Sequence, residues 1–292
     1  MKTLLNSLAI IVLVAFFSCN SPAKNTTSAT RPTIQDNGVN IAYTDSGKGD
    51  TTLLFVHGWI INGSYWSNQV NYFSKKYRVV TIDLPGYGQS GKNRNTWAVK
   101  DFGRDVDSVM AQLNLKNVIL VGHSMGGNII VEAAVHAPDR VIALVGIDNF
   151  LGVGKPEDAK SKAAFADAIG QLKKNFKQVT TQYFNEDLFY KTTADSVKKR
   201  VLNDVAHADS TIAIASMEDN SFDEVANLKT SKKKLYLINS DIHETYLDGF
   251  KANGIPFEVK EIHATGHFPM VEKPTEFNIL LTGIIRDINK DK

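Results

Sequence analysis

The stretch VGHSMGGN, residues 121–128, sets a serine between two glycines with a third glycine close behind. Such a serine can attack a carbonyl if the turn holds its hydroxyl clear of the backbone and a base takes its proton. The competing explanation is a tight turn in which small residues simply fit. Gly122-x-Ser124-x-Gly126 follows the apolar run VILVG and opens the helical stretch SMGGNIIVEAAVHA, so it sits on a strand–turn–helix. A nucleophile at such a turn takes a strained conformation costing about 1–3 kcal/mol, and a neighbouring Cβ would worsen the crowding. Gly122 and Gly126 relieve it, and Gly127 lets the helix approach its neighbours. The Met125 N–H falls at the helix start, where it can receive negative charge.

Serine needs a histidine, and there are seven. His123 lies inside the turn and His57 precedes Gly58 in a strand-end loop, both suited to local packing or hydrogen bonding. His136, His207 and His243 fall in helical or exposed contexts. His263 still belongs to the end of the last strand. His267, in TGHFPMVEKP, follows the glycine of the post-strand loop, where a side chain can hang over the sheet edge. It is the expected base. An acid must orient the imidazole, and the chain order Ser…Asp…His narrows the choice. Asp241 directly follows the strand LYLINS and is favoured. Asp148, which ends ALVGID, is second, and Glu244 third. In LLFVHGWIINGSYW the Trp59 N–H follows a strand and would complement that of Met125. Two such donors aimed at one oxyanion stabilise acyl transfer by about 3 kcal/mol each. A packing role suits Trp66 better than Trp59.

These residues need elements that bring them to one edge. VNIAYTD, TTLLFVHG, YRVVTIDLPG, VILVG, VIALVGID, KLYLINSD and FEVKEIHATG read as strands, the internal ones nearly continuous in Val, Ile and Leu. Helical patterns lie between them at Trp97–Leu113, Ser124–Ala137, Glu244–Ala252 and Thr275–Ile288. This alternation predicts an α/β fold, a doubly wound, mostly parallel sheet. Residues 151–228 break the rhythm. Phe165, Ile169, Leu172 and Phe176 share one helical face, as do Val197, Val201 and Val205. A helical cap inserted before the last two strands is expected there, as a lid over the sheet's carboxyl edge. The core is then residues 34–150 and 229–292.

Of the 292 residues, 43% are hydrophobic and 22% charged, and 33 Lys and Arg stand against 31 Asp and Glu. A net charge of +2 gives no reason to expect a nucleic-acid partner. The single cysteine, Cys19, excludes an intramolecular disulfide and a cysteine-based metal cluster. Lys2 followed by the largely apolar Leu4–Phe17 has the build of a secretory signal and is too short for a comfortable membrane span. A small residue before Cys19 and a polar stretch after it resemble a bacterial lipoprotein signal, although Phe16 stands where leucine is usual. Residues 1–18 are therefore read as signal peptide, Cys19 as the lipidated residue and 19–33 as a flexible tether. The protein would be exported and anchored to a bacterial membrane by its lipid; the alternative is an ordinary cleaved signal peptide with an incidental cysteine, which would leave it periplasmic or secreted.

From residue 38 to about 290 the chain resembles the α/β-hydrolase superfamily, in its lidded, esterase-like branch. The resemblance rests on four ordered motifs: HGW, DLPGYGQS, GHSMGG and GHFPMVEKP. It implies Ser124 as nucleophile, His267 as base, Asp241 as acid and backbone donors at Trp59 and Met125, with no cofactor and no metal. Asp83 matches a structural turn of the family and Glu272 a structural carboxylate. Asn239-Ser240-Asp241 lacks the glycine usual before the acid, so Asp148 stays open. Serine at the turn argues against the aspartate chemistry of haloalkane dehalogenases and epoxide hydrolases. The expected activity is hydrolysis of a small ester. Alternatives are carbon–carbon bond hydrolysis or perhydrolysis with the same residues, or a ligand-binding module that turns over slowly or not at all. Phe165, Phe176, Tyr183, Phe184, Phe189 and Tyr190 suggest an apolar pocket, though each alone suits core packing.

Overall fold

A computed structural model describes residues 30–219 and 221–290. The expected signal peptide and Cys19 lie outside the described residues. Eight strands form one sheet in the order β1-β2-β4-β3-β5-β6-β7-β8. They are β1 (Thr33–Asp36), β2 (Val39–Ser46), β3 (Thr52–Val56), β4 (Arg78–Ile82), β5 (Val118–His123), β6 (Val141–Ile147), β7 (Leu235–Ser240) and β8 (Phe257–Ile262). β1 pairs antiparallel with β2, and β2 with β4, while β3 to β8 run parallel. Strands β3, β5 and β7 are buried along their whole length, as uninterrupted Val, Ile and Leu require of a sheet covered on both faces.

The chain steps leftward from β3 to β4 through α1 (Ser67–Phe73), then rightward to β5 through α2 (Val99–Gln112) and to β6 through α3 (Met125–His136). Right-handed crossovers therefore place α1 on one face and α2 and α3 on the other. After β8 come a short helix α9 (Pro269–Glu272) and α10 (Pro274–Lys290), which packs beside α1. The parallel strands all point their carboxyl ends at the same edge.

Between β6 and β7 the sheet pauses for α4 (Ala159–Tyr183), a π-helical turn (Phe184–Leu188), α5 (Asp195–His207), α6 (Ser210–Glu218) and α7 (Glu224–Ser231). The helical insertion before the last two strands is thus present. α4 bends at Asn175, whose φ of −150° and ψ of 65° are not helical. Ile169, Leu172, Val201 and Val205 are buried, the predicted inner faces of α4 and α5. Polar contacts tie the insertion to the core. The Trp59 indole N–H donates to the Ala213 carbonyl at 2.8 Å, and the Tyr65 hydroxyl donates to Asp204 at 2.7 Å. Arg200 lies 4.0 Å over the Tyr65 ring and donates to the Ser64 hydroxyl at 2.9 Å. Among the described residues no helix is long and apolar enough to cross a membrane.

Candidate active site

Ser124 joins β5 to α3 with φ 52° and ψ −123°, a conformation that side-chain-bearing residues rarely adopt. Its N–H donates to the Ile147 carbonyl at 3.0 Å, and its carbonyl accepts the Gly127 N–H at 2.8 Å, so the turn is pinned on both sides. The flanking glycines are required by contact. A Cβ on Gly122 would strike the Gly126 carbonyl, and one on Gly126 would come within 2.7 Å of the His57 carbonyl oxygen. One on Gly127 would collide with the Asn149 amide. Across the turn, a Cβ on Gly58 would lie 3.0 Å from the Ser124 Cβ, which shows how closely the loop after β3 approaches. Met125 is the first residue of α3, where an N–H has no intrahelical acceptor.

His267 hangs over the same edge. Its Nδ1 lies 2.5 Å from Oδ2 of Asp148, and the Asp148 side chain is only 3% exposed. The other Asp148 oxygen accepts two hydrogen bonds from Ser240, from the N–H and the hydroxyl, both at 2.7 Å. Burial alone would raise this carboxyl's pKa, but the hydrogen bonds and charge of His267, with the Ser240 donors, hold it below the usual carboxylate range. Ser124, His267 and Asp148 line one cavity of about 1100 Å³, together with Trp59 and Met125.

The expectation that Asp241 would meet His267 is corrected by this geometry. Asp241 lies one residue past β7 and turns away, accepting the Ala264 N–H at 3.0 Å and facing His263 Nδ1 at 3.3 Å. Ser240 takes the inward place and presents donors to Asp148. Strands β6 and β7 end side by side, so carboxylates after either could reach the edge. Asp148, with φ 47°, is the one turned inward. Glu244 is likewise absent from the cavity lining.

His57 and His123 hold local structure. The His57 Nδ1–H donates to the Gly58 carbonyl at 2.8 Å, and its Nε2 accepts the Leu84 N–H at 2.9 Å. Burial lowers its pKa. His123 Nε2 lies 2.7 Å from the His267 carbonyl oxygen, an acceptor, so the proton resides on Nε2. Burial, and then the nearby His267, pull His123 down to about 3, which keeps it neutral.

One further residue escaped sequence reasoning. Asn149, next to Asp148, donates from Nδ2 to the Gly122 and Ser124 carbonyls, each at 3.2 Å. Its N–H donates to Asn239 Oδ1 at 3.3 Å, and Asn239 Nδ2 returns a bond to the Asn149 carbonyl at 3.1 Å. Asn149 thus braces the loop carrying Asp148 against the turn carrying Ser124. Its only sequence signal was adjacency to a candidate acid.

Glu272 accepts the Gly266 and Phe268 N–H groups at 3.0 and 3.2 Å and the Thr193 hydroxyl at 2.5 Å, which braces the His267 loop from both sides. Asp83 accepts the Gly63 and Gln89 N–H groups, each at 2.8 Å, in the turn after β4. Among the expected apolar residues, Phe165, Tyr183 and Phe184 line the cavity. Phe176 packs edge-on to Trp59, and Phe189 packs against Phe268. Trp66 is fully buried between Phe55 and Phe277.

Comparison with known proteins places these features in a family. Residues 51–241 match the family model described as alpha/beta hydrolase fold. The chain is 42% identical over 101 residues to a pimeloyl-[acyl-carrier protein] methyl ester esterase of Aliivibrio salmonicida, covering 35% of this chain and 36% of the relative. It is 25% identical over 256 residues to the dihydrolipoyllysine-residue acetyltransferase component of an acetoin cleaving system from Cupriavidus necator, covering 84% and 66%. The chain spans about one third to two thirds of the length of these curated relatives. A thermophilic esterase from Thermogutta terrifontis shares the fold with a TM-score of 0.74 at 19% identity, over 89% of this chain and 98% of that one. With a family match across more than half its length and the strand–turn–helix serine at the shared sheet edge, the chain belongs to the α/β-hydrolase fold family.

Proposed function

We propose that the protein is a serine hydrolase that cleaves a small, apolar ester through an acyl-enzyme on Ser124. The observation that carries this reading is a single cavity shared by a strained serine and a histidine held by a buried carboxylate. Asp148 fixes the His267 proton on Nδ1 and leaves Nε2 as the basic nitrogen. Nε2 takes the hydroxyl proton as Ser124 Oγ attacks the carbonyl carbon. The Trp59 and Met125 N–H groups receive the oxyanion. The imidazolium returns the proton to the departing alcohol oxygen. A water activated by the same nitrogen then releases the carboxylic acid and restores Ser124. Phe165, Tyr183, Phe184 and Phe268 supply an apolar wall for the acyl group. Similarity to an esterase of a methyl ester supports the same bond class.

A fluorophosphonate incubated with intact protein should add once, at Ser124 by peptide mapping. Ser124→Ala should abolish the adduct and lower turnover of p-nitrophenyl butyrate by about 10⁴ or more. Ester turnover at the wild-type rate in that variant would refute the mechanism. The export reading, resting on Lys2, Leu4–Phe17 and Cys19, has its own test. In a bacterial host the protein should fractionate with membranes, and Cys19→Ala should release it or block its processing. Unchanged membrane association would refute lipid anchoring.

A further inference from the structure

The cavity is lined by polar residues that the ester chemistry does not use. Asn128 lies four residues beyond Ser124 on α3, about one turn and ~6 Å farther along the same face. Both line the cavity. α7 packs across α3 and brings Glu224, in its first turn, beside Asn128, and both residues line the cavity. Glu224 is half-buried, and desolvation pushes its carboxyl's pKa up, with neighbouring Asp223 adding to this.

Asp219 and Asp223, which line the same cavity, are committed elsewhere. Asp219 accepts the Val99 N–H at 3.2 Å and the Ser221 hydroxyl at 2.5 Å, and Asp223 caps α7 through the Ala226 N–H at 2.9 Å. A carboxylate offers about four lone-pair sites, more than the neighbouring Asn128 can fill. Trp59, Phe184, Leu188 and Phe268 line the same cavity. It therefore combines an apolar lining with acceptors about one helical turn from Ser124. Lys155 and Lys162 also line it, which favours a neutral donor over a cation beside Glu224.

From the placement of Asn128 and Glu224 in the cavity of Ser124 we infer that they form a subsite for a hydroxyl group on the alcohol portion of the substrate, so that the preferred ester is that of a polyol. The inference rests on the Ser124 hydrolase reading, which assigns the apolar lining to the acyl group and leaves the polar lining to the alcohol.

The test compares kcat/KM, by pH-stat, for three butyrates: glycerol 1-monobutyrate, butyl butyrate and butyrylcholine. Wild-type protein should favour the glycerol ester over the butyl ester by about tenfold, the size of one hydrogen bond to a charged group. Glu224→Leu should reduce that ratio by about tenfold. Glu224→Gln, which keeps the shape and one acceptor, should reduce it by roughly threefold and serves if the leucine variant fails to fold. A ratio that moves by less than twofold in a folded variant overturns the subsite, as does a wild-type preference for the choline ester. If none of the three esters is turned over and Ser124 takes no fluorophosphonate, the hydrolase reading itself fails. Turnover of all three with an unmoved ratio overturns the subsite alone.

Discussion

Asp148→Asn removes a charge and a proton acceptor while leaving the shape of the side chain nearly unchanged. Both Ser240 contacts to Asp148 Oδ1 are donors, at 2.7 Å, so the asparagine must keep its carbonyl oxygen there. Its NH₂ then takes the place of Oδ2, 2.5 Å from His267 Nδ1, and turns an acceptor into a donor. Nδ1 can no longer carry the proton, which moves to Nε2, the nitrogen that the proposed mechanism needs free for the Ser124 proton. The imidazolium of that mechanism also loses its counter-charge. Unit charges ~4 Å apart at an effective dielectric of about 20 interact by about 4 kcal/mol. At 1.36 kcal/mol per factor of ten this alone is about 10³ in rate. With the tautomer reversed as well, kcat/KM on p-nitrophenyl butyrate should fall by about 10³–10⁴. Thermal unfolding by circular dichroism would establish that the variant is folded. Asp241→Asn, whose carboxylate faces Ala264 and His263, should stay within about threefold of wild type. A folded Asp148→Asn of near-wild-type activity, or an Asp241→Asn crippled to the same degree, would refute the assignment.

Three other perturbations have definite outcomes. Because Ser124 holds φ at 52° whatever its side-chain chemistry, Ser124→Gly should be more stable than Ser124→Ala by about 1 kcal/mol, a Tm difference of about 2–4 °C; equal stability would show that the turn stores no strain. Asn149→Ala deletes two hydrogen bonds that pin the nucleophile turn, each worth about 1 kcal/mol, so kcat should drop about 30-fold with KM little changed; a loss confined to KM or to Tm would leave Asn149 no part in aligning Ser124. His123 is protonated in the unfolded chain below ~6.5 but resists protonation in the fold down to about 3, so the fold loses stability as pH falls through that window. In His123→Gln the slope of unfolding free energy against pH between 6 and 4 should shrink by up to about 1.4 kcal/mol per pH unit, measured by urea titration at several pH values, and an unchanged slope would contradict burial of a neutral imidazole.

The strands from β3 to β7 were legible because apolar runs buried on both faces leave little ambiguity, β2 and β8 because apolar and polar residues largely alternate in them, and the long helices because their periodicity is regular. The short β1 was not, since Thr33–Asp36 carries one buried apolar residue and depends on its pairing with β2. Helix α1 was missed for a similar reason: SNQVNYF buries only Gln69 and Phe73. Ser124 and His267 stood out because local turn chemistry and a post-strand loop mark them in the chain itself. The partner of His267 did not. Asp148 and Asp241 both follow strands, and the difference between them lies in the register of β6 against β7 and in the donors of Ser240, neither of which is a local property. Asn149 braces groups distant in the chain, and the role proposed for Glu224 also depends on a distant neighbour, so apart from the adjacency of Asn149 to Asp148 composition and spacing carry no mark of them.

The clamp around His267 also constrains how the cavity mouth can be remodelled. The His267 N–H is held by the Leu188 carbonyl at 2.8 Å, and Glu272 joins the same loop to Thr193. Leu188 thus serves twice: it lines the cavity, and its carbonyl holds the loop that carries the imidazole. Enlarging the mouth there to admit bulkier molecules would tilt the ring and trade speed for breadth. Substitutions near Phe165, which is partly exposed and carries no such tie, can change what enters without touching the rate of the chemical step.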